Sequence, residues 1–274
     1  IAQGNTIVDI NSRENADYII SRNLEYLENI KLPDKIRSCV IFWCFRKIPN
    51  LSTLIKYLES LEKLDKFIKQ NPNIHYIFVS TALTSIPALR LKSGYVLSKH
   101  ITELKLLNTC INRKISLDII KPALVYGQVD CPLKRVASLR KIRLQVTIGS
   151  KDAFFAVTSI NDFNKTTLSL LKQHNAPETK TTRTQRTIHI NEVHRFSFKQ
   201  LHAELDKRFG KAFISIELAS NIIVSFIYKI ITGKSIDLSL TSTDRYPEEI
   251  LNKSNTAEIS PRCMQSVYDY IRFL

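Results

Sequence analysis

Glycine is scarce in this chain, whose 274 residues hold six of them: Gly4, Gly94, Gly127, Gly149, Gly210 and Gly233. No three stand close enough to write a Gly-x-x-Gly-x-x-Gly turn, so the backbone cradle that such a turn offers a phosphate at a helix N-terminus is excluded in that form. The five cysteines, Cys39, Cys44, Cys110, Cys131 and Cys263, form no CxxC pair, and the six histidines show neither HxH nor HExxH spacing. Structural zinc and zinc-hydrolase chemistry are thereby excluded, and no metal site is expected. Scattered thiols without a disulfide framework point to a reducing compartment, the cytoplasm. No basic-then-apolar leader opens the chain, and Ile1 stands where an initiator methionine would, so either an upstream segment was removed or the chain is a fragment. No internal repeat is visible, which excludes a solenoid.

What is plentiful is positive charge, with 40 lysines and arginines against 25 acids and a net charge of +15. Such an excess favours phosphate-bearing partners. The basic residues are spread along the chain, however, as on a solvated surface, and no nucleic-acid-binding motif accompanies them, so a specific nucleic-acid partner is not expected. A hydrophobic fraction of 44% is ordinary for a globular protein with a sizeable core.

Apolar runs alternate with amphipathic stretches over the first half, the pattern of a parallel α/β sheet. Residues 38–43 read as a buried strand. Leu54, Leu58, Leu61, Leu64 and Ile68 then recur at three- and four-residue spacing and predict a helix over 51–70. Asn71-Pro72-Asn73 stops it, residues 75–79 form the next strand, a helix runs from Tyr95 through Leu107, and residues 116–120 make a third strand closed by Pro122. Beyond Gly127 the chain turns to basic loops and shorter elements, with a charge run at 134–143 and a polar excursion at 173–186. A short strand at 154–157, a helix from 160, a strand at 187–190 and a helix over 197–209 are expected there. The apolar stretch 212–232 is long enough to span a bilayer, but Glu217, Asn221 and Lys229 interrupt it. It reads as a buried or interfacial helix, with a peripheral membrane contact left open. Residues 1–130 are expected to form a Rossmann-like parallel sheet, N-terminally incomplete, and residues 131–274 a smaller C-terminal substrate lobe.

The segment richest in chemistry is Val79-Ser80-Thr81, then Gly94-Tyr95-Val96-Leu97-Ser98-Lys99, then Lys121-Pro122-Ala123-Leu124-Val125-Tyr126-Gly127. Residues four apart share a helix face, so the Lys99 ammonium can favour the ionised form of the Tyr95 phenol and make it a general base. Thr81, at the carboxyl end of a predicted parallel strand, lies where open α/β sheets bind ligands. Two common residues four apart are a weak signal alone, and the bland alternative is an ordinary helix pair.

The order of strand, hydroxyl residue, Tyr-x-x-x-Lys helix and Pro-Ala-Leu-Val-Tyr-Gly strand end resembles the extended short-chain dehydrogenase/reductases, the NAD-dependent epimerase/dehydratase family of polysaccharide synthesis. The resemblance implies NAD or NADP as cofactor and a nucleotide-linked sugar as substrate. It assigns Thr81 to orienting the substrate hydroxyl, Tyr95 to proton transfer, and Lys99 to tuning Tyr95 and holding the nicotinamide ribose. Pro122, Ala123 and Val125 would line the nicotinamide, and Arg140 and Arg143 would reach the diphosphate. Glu103 matches a frequent family acid, and Lys121 stands where the family has arginine. A homodimer is left open. The missing glycine turn, and Phe42-Trp43-Cys44-Phe45 where the family has small residues, keep a second reading alive: a non-catalytic accessory or structural protein derived from the same fold.

Overall fold

The computed structural model describes residues 10–11, 18–19, 24–43, 45, 51–86, 90, 93–127, 132–148, 154–175, 185–189 and 194–218. In chain order the strands and helices are β1 (Ile10–Asn11), β2 (Tyr18–Ile19), β3 (Ser38–Ile41), α1 (Leu51–Gln70), β4 (His75–Val79), α2 (Gly94–Arg113), β5 (Leu117–Lys121), β6 (Leu124–Tyr126), α3 (Pro132–Lys141), β7 (Leu144–Ile148), β8 (Phe154–Ser159), α4 (Ile160–Asn175), β9 (Gln185–His189), β10 (His194–Ser197), α5 (Phe198–Phe209) and β11 (Ile214–Leu218). Two compact units result, one of Ile1–Thr84, Gly94–Lys121 and Thr167–Ile188, the other of Ser85–Ser93, Pro122–Thr166 and His189–Leu274.

The first unit is a sheet in the order β3-β4-β5-β9. Strands β3, β4 and β5 run parallel, with Ser38 opposite His75 and Tyr76 opposite Leu117. Every residue of β4 is buried, as a central parallel strand covered on both faces requires. Helix α1 turns Leu61, Leu64, Phe67 and Ile68 into the core, each side chain contributing about 1.5–3 kcal/mol by leaving water. The stripe is not quite the expected one. Leu58 is exposed, and Tyr57 takes the inward position because its hydroxyl finds a buried acceptor, the Ser98 carbonyl at 2.7 Å. Asn71 ends α1 by accepting from Leu32 N at 2.9 Å and donating to the carbonyls of Phe67 at 2.8 Å and Ile30 at 3.2 Å. The fold is thus mixed α/β with a Rossmann-like parallel sheet.

In the second unit, β8 lies between β6, parallel to it, and β10, antiparallel. A separate parallel pair joins β7 and β11. Tyr126, Ala137, Val157, Leu201 and Leu205 form the core. Helix α5 starts in a reciprocal capping box, in which Gln200 N donates to Ser197 Oγ and Ser197 N donates to the Gln200 side chain. Gly127 has φ of 98°, and a Cβ there would come within 2.7 Å of Ile160 Cγ2, so both conformation and space require glycine.

Two expectations change here. The charge run at 134–143 is mostly helical, because α3 covers Pro132–Lys141 and places Ala137 in the core. The stretch expected as a helix from 212 instead opens with strand β11, where β-branched Ile214 and Ile216 pair along β7. Its remainder, 219–232, lies outside the described residues, as do 176–184 of the polar excursion. Among the described residues no helix is long and apolar enough to cross a membrane.

Candidate active site at the carboxyl edge of the sheet

Helix α2 packs on α1 and lays one face along the carboxyl ends of β3 and β4. Three residues at four-residue spacing, Tyr95, Lys99 and Glu103, mark that face. Lys99 is buried, and its Nζ donates to the Val79 carbonyl at 2.6 Å and the Trp43 carbonyl at 3.2 Å. The same ammonium lies 4.8 Å from the centre of the Phe78 ring. Carbonyl dipoles and a π face together offset part of the cost of burying the charge. Lys99 therefore clasps the ends of two neighbouring strands.

One turn further on, the buried Glu103 carboxylate gathers three donors. Ser80 Oγ and Thr84 Oγ1 both donate to Oε1, the latter at 2.8 Å, and Lys121 Nζ donates to Oε2 at 2.8 Å. Ser80 and Thr84 bracket Thr81, whose carbonyl accepts from Thr84 N at 3.2 Å and, at 2.9 Å, shares the single Thr84 hydroxyl proton with Glu103. The short 3₁₀ turn Ala82–Ser85 is thereby fixed to α2, and Thr81 with it. The Thr81 hydroxyl accepts from Leu83 N at 3.4 Å, which leaves its own proton available for donation. Tyr95 is half-buried, one turn before Lys99.

A hydroxyl relay sets the height of α2 against β3. Tyr57 OH lies 2.9 Å from Thr102 Oγ1, and Ser98 Oγ donates to the Phe45 carbonyl at 2.9 Å. Trp43 stacks on Tyr57 at 5.5 Å, with Phe45 edge-on to both rings, so these aromatics belong to the core margin at the end of β3.

The structure thus brings Thr81 and Lys99 to one sheet edge, with Tyr95 on the same helix face as Lys99. Pro122, Ala123 and Val125 belong to the second unit, where Pro122 and Ala123 are buried, Ala123 N donates to Thr158 Oγ1 at 3.1 Å, and Val125 is half-buried. Arg140 is buried and paired with Asp206 on α5. Arg143 adopts a left-handed backbone, with φ of 62°, and donates to the Lys211 carbonyl at 3.3 Å. Both arginines named for the diphosphate therefore have protein partners. Ser80 and Thr84 were missed as members of the site. Their signal was present in the doublets Ser98/Thr102 and Lys99/Glu103, two polar pairs at i, i+4 on a helix that must bury one face. Among the described residues no group of His, Cys, Asp and Glu could hold a metal ion.

No family model matches the sequence, and no curated protein does. Solved structures share its fold. A mutant UDP-glucuronic acid 4-epimerase from Bacillus cereus, in complex with NAD and a fluorinated UDP-sugar, matches with a TM-score of 0.61 and 18% identity over 93% of this chain and 82% of its own. UDP-N-acetylglucosamine 4-epimerase from Bacillus cereus matches with a TM-score of 0.58 and 16% identity, covering 93% and 90% of the two chains. A human epimerase family protein with NADPH matches with a TM-score of 0.62 and 14% identity, covering 100% and 93%. At these identities the likeness is one of fold.

Proposed function

We infer that the chain is an NAD(P)-dependent oxidoreductase of the epimerase/dehydratase kind acting on a nucleotide-linked sugar, with Tyr95 moving the proton of a sugar hydroxyl. The observation that supports this reading most is the clasp of Lys99 on the ends of β3 and β4, which puts an ammonium at the carboxyl edge one helical turn from Tyr95. That edge is where open parallel sheets receive their ligands. Two of the solved neighbours contain NAD or NADPH, and the residues here suit the reactive end of such a dinucleotide: an ammonium, a half-buried phenol and a threonine hydroxyl on a fixed turn. Its pyrophosphate end finds no glycine turn among the described residues.

A bound dinucleotide would supply hydride acceptance and return. The chain's own residues do the rest. The Thr81 hydroxyl orients the sugar hydroxyl, the Tyr95 phenol takes and returns its proton, and the Lys99 ammonium stabilises the phenolate while holding the strand ends in place. Pro122, Ala123 and Val125 enter the proposal as nicotinamide contacts on the resemblance alone. Arg140 and Arg143 stay outside it because of their protein partners. A homodimer is part of the proposal too, supported by exposed Leu51, Ile55 and Leu58 on α1 and Leu104 and Ile111 on the adjoining α2.

The accessory-protein reading is favoured by one observation, the close-packed Trp43, Phe45 and Tyr57 rings at the end of β3. Tyr95→Phe separates the two. Under the enzymatic reading it preserves dinucleotide binding and lowers turnover of a UDP-sugar by about 10²–10⁴, since it removes only the proton-transfer group. Equal turnover in both forms would sink the mechanism.

A further inference from the structure

Within the second unit, the ends of two helices and the start of a strand build a surface that the proposed chemistry does not use. The turn after α3 carries Ile142, 64% exposed, and the approach to β11 carries Phe213 and Ile214, 86% and 59% exposed. These are not scattered residues. Phe213 N and Ile214 N both donate to the Arg143 carbonyl, at 3.0 and 3.4 Å, so the two segments are stitched side by side. Gly210, with φ of 75°, makes room for the Arg143 guanidinium, which donates to the Lys211 carbonyl and lies 5.6 Å from the Phe213 ring centre. Lys141 and Arg208 flank Phe209 at 5.9 and 5.2 Å, and Lys211 is exposed. Three exposed cations, Lys141, Arg208 and Lys211, thus lie on the same stitched segments and helix end as three protruding apolar side chains.

We propose that this surface docks on an anionic lipid bilayer, with Phe213, Ile142 and Ile214 entering the headgroup region and Lys141, Arg208 and Lys211 facing lipid phosphates. A second copy of the chain is a poor occupant, because an isologous contact would oppose three cations to three cations. A nucleic acid would use the cations and Phe213 but gain little from two exposed isoleucines, whereas a lipid interface rewards buried methylenes and positive charge together. The chain's net charge of +15 acts in the same direction by raising the rate of encounter with a negative surface.

Flotation of the full chain with vesicles of phosphatidylcholine, alone or mixed with phosphatidylserine, tests the proposal. The chain should float with the mixed vesicles and not with the neutral ones. Lys141→Ala and Lys211→Ala should each weaken binding about fivefold, and Phe213→Ser combined with Ile142→Ser roughly tenfold or more. Lys56→Ala and Lys66→Ala, on exposed positions of α1, should leave flotation intact. All these positions are exposed, and unchanged melting curves verify the fold. No flotation with the mixed vesicles, flotation indifferent to the Phe213 and Ile142 changes, or equal loss from the α1 variants would overturn the proposal. So would tighter binding to an RNA oligonucleotide that those same two changes weaken while vesicle binding is absent.

Discussion

The first unit buries two polar clusters at different places on one sheet, and they are built to different ends. Around Asp118, fully buried on β5, Arg186 of β9 forms a two-pronged ion pair at 2.9 and 2.8 Å, and His75 of β4 lies 3.3 Å away. His75 in turn meets Ser116 Oγ at 2.8 Å through its other ring nitrogen. This cluster joins strand to strand. Around Glu103, by contrast, a helix carboxylate reaches over the sheet edge to hold the turn that bears Thr81. A cluster closed on itself stabilises the sheet, whereas one that ties a helix to the turn bearing Thr81 fixes the position of a candidate site residue. Burial of a charge alone does not mark a functional site; what the charge holds in place does.

The largest effect should come from breaking the first cluster. Asp118→Ala leaves Arg186 and His75 without their carboxylate and should cost about 3 kcal/mol in urea unfolding, at the low end for a buried pair because the Arg186 side chain is 43% exposed. Burial alone would push the Asp118 carboxyl up, but its contacts with His75 and Arg186 prevail and hold it below the ordinary carboxylate range. A depressed folded-state pKa gives stability that is complete above the unfolded value of about 4 and is lost as pH falls through the folded one. Wild type should therefore lose stability in acid more steeply than Asp118→Asn, and parallel acid limbs would contradict the assignment. Glu103→Gln sharpens the contrast with a smaller change, about 1–3 kcal/mol. It should lower turnover by roughly 10- to 100-fold through misplacement of Thr81, while dinucleotide affinity holds. A Glu103→Gln protein that is destabilised yet turns over at the wild-type rate would reduce Glu103 to a structural role.

Much of the parallel sheet was legible because its signals are periodic and local. The runs at 38–43 and 75–79, the helix over 51–70 and the strand at 116–120 all lie within a few residues of β3, β4, α1 and β5. The second unit was harder to read. Its α3 has a mean composition so basic that the apolar Val136 and Ala137 are masked, and β11 sits at the head of an apolar run whose length suggests a helix. Strand or helix is decided there by β7, a partner some 70 residues away that no local pattern reveals. The candidate site shows the same division. Tyr95, Lys99 and Thr81 are visible as a spacing and a strand end. Which carbonyls Lys99 would clasp, and that Ser80 and Thr84 would share one carboxylate oxygen, are consequences of packing α2 against the sheet. The protein partners of Arg140 and Arg143 were equally out of reach, since Asp206 and Lys211 lie more than 60 positions along the chain.

Whether the carboxyl edge receives a dinucleotide decides between enzyme and accessory protein, and isothermal titration of the full chain with NADH and NADPH measures that directly. The expected result is saturable binding of one of the two that Lys99→Ala abolishes, because that substitution removes both an ammonium for the ribose and the clasp on Val79 and Trp43. Absence of binding by a wild-type chain with a normal melting transition would contradict the enzymatic reading and leave the accessory protein in its place.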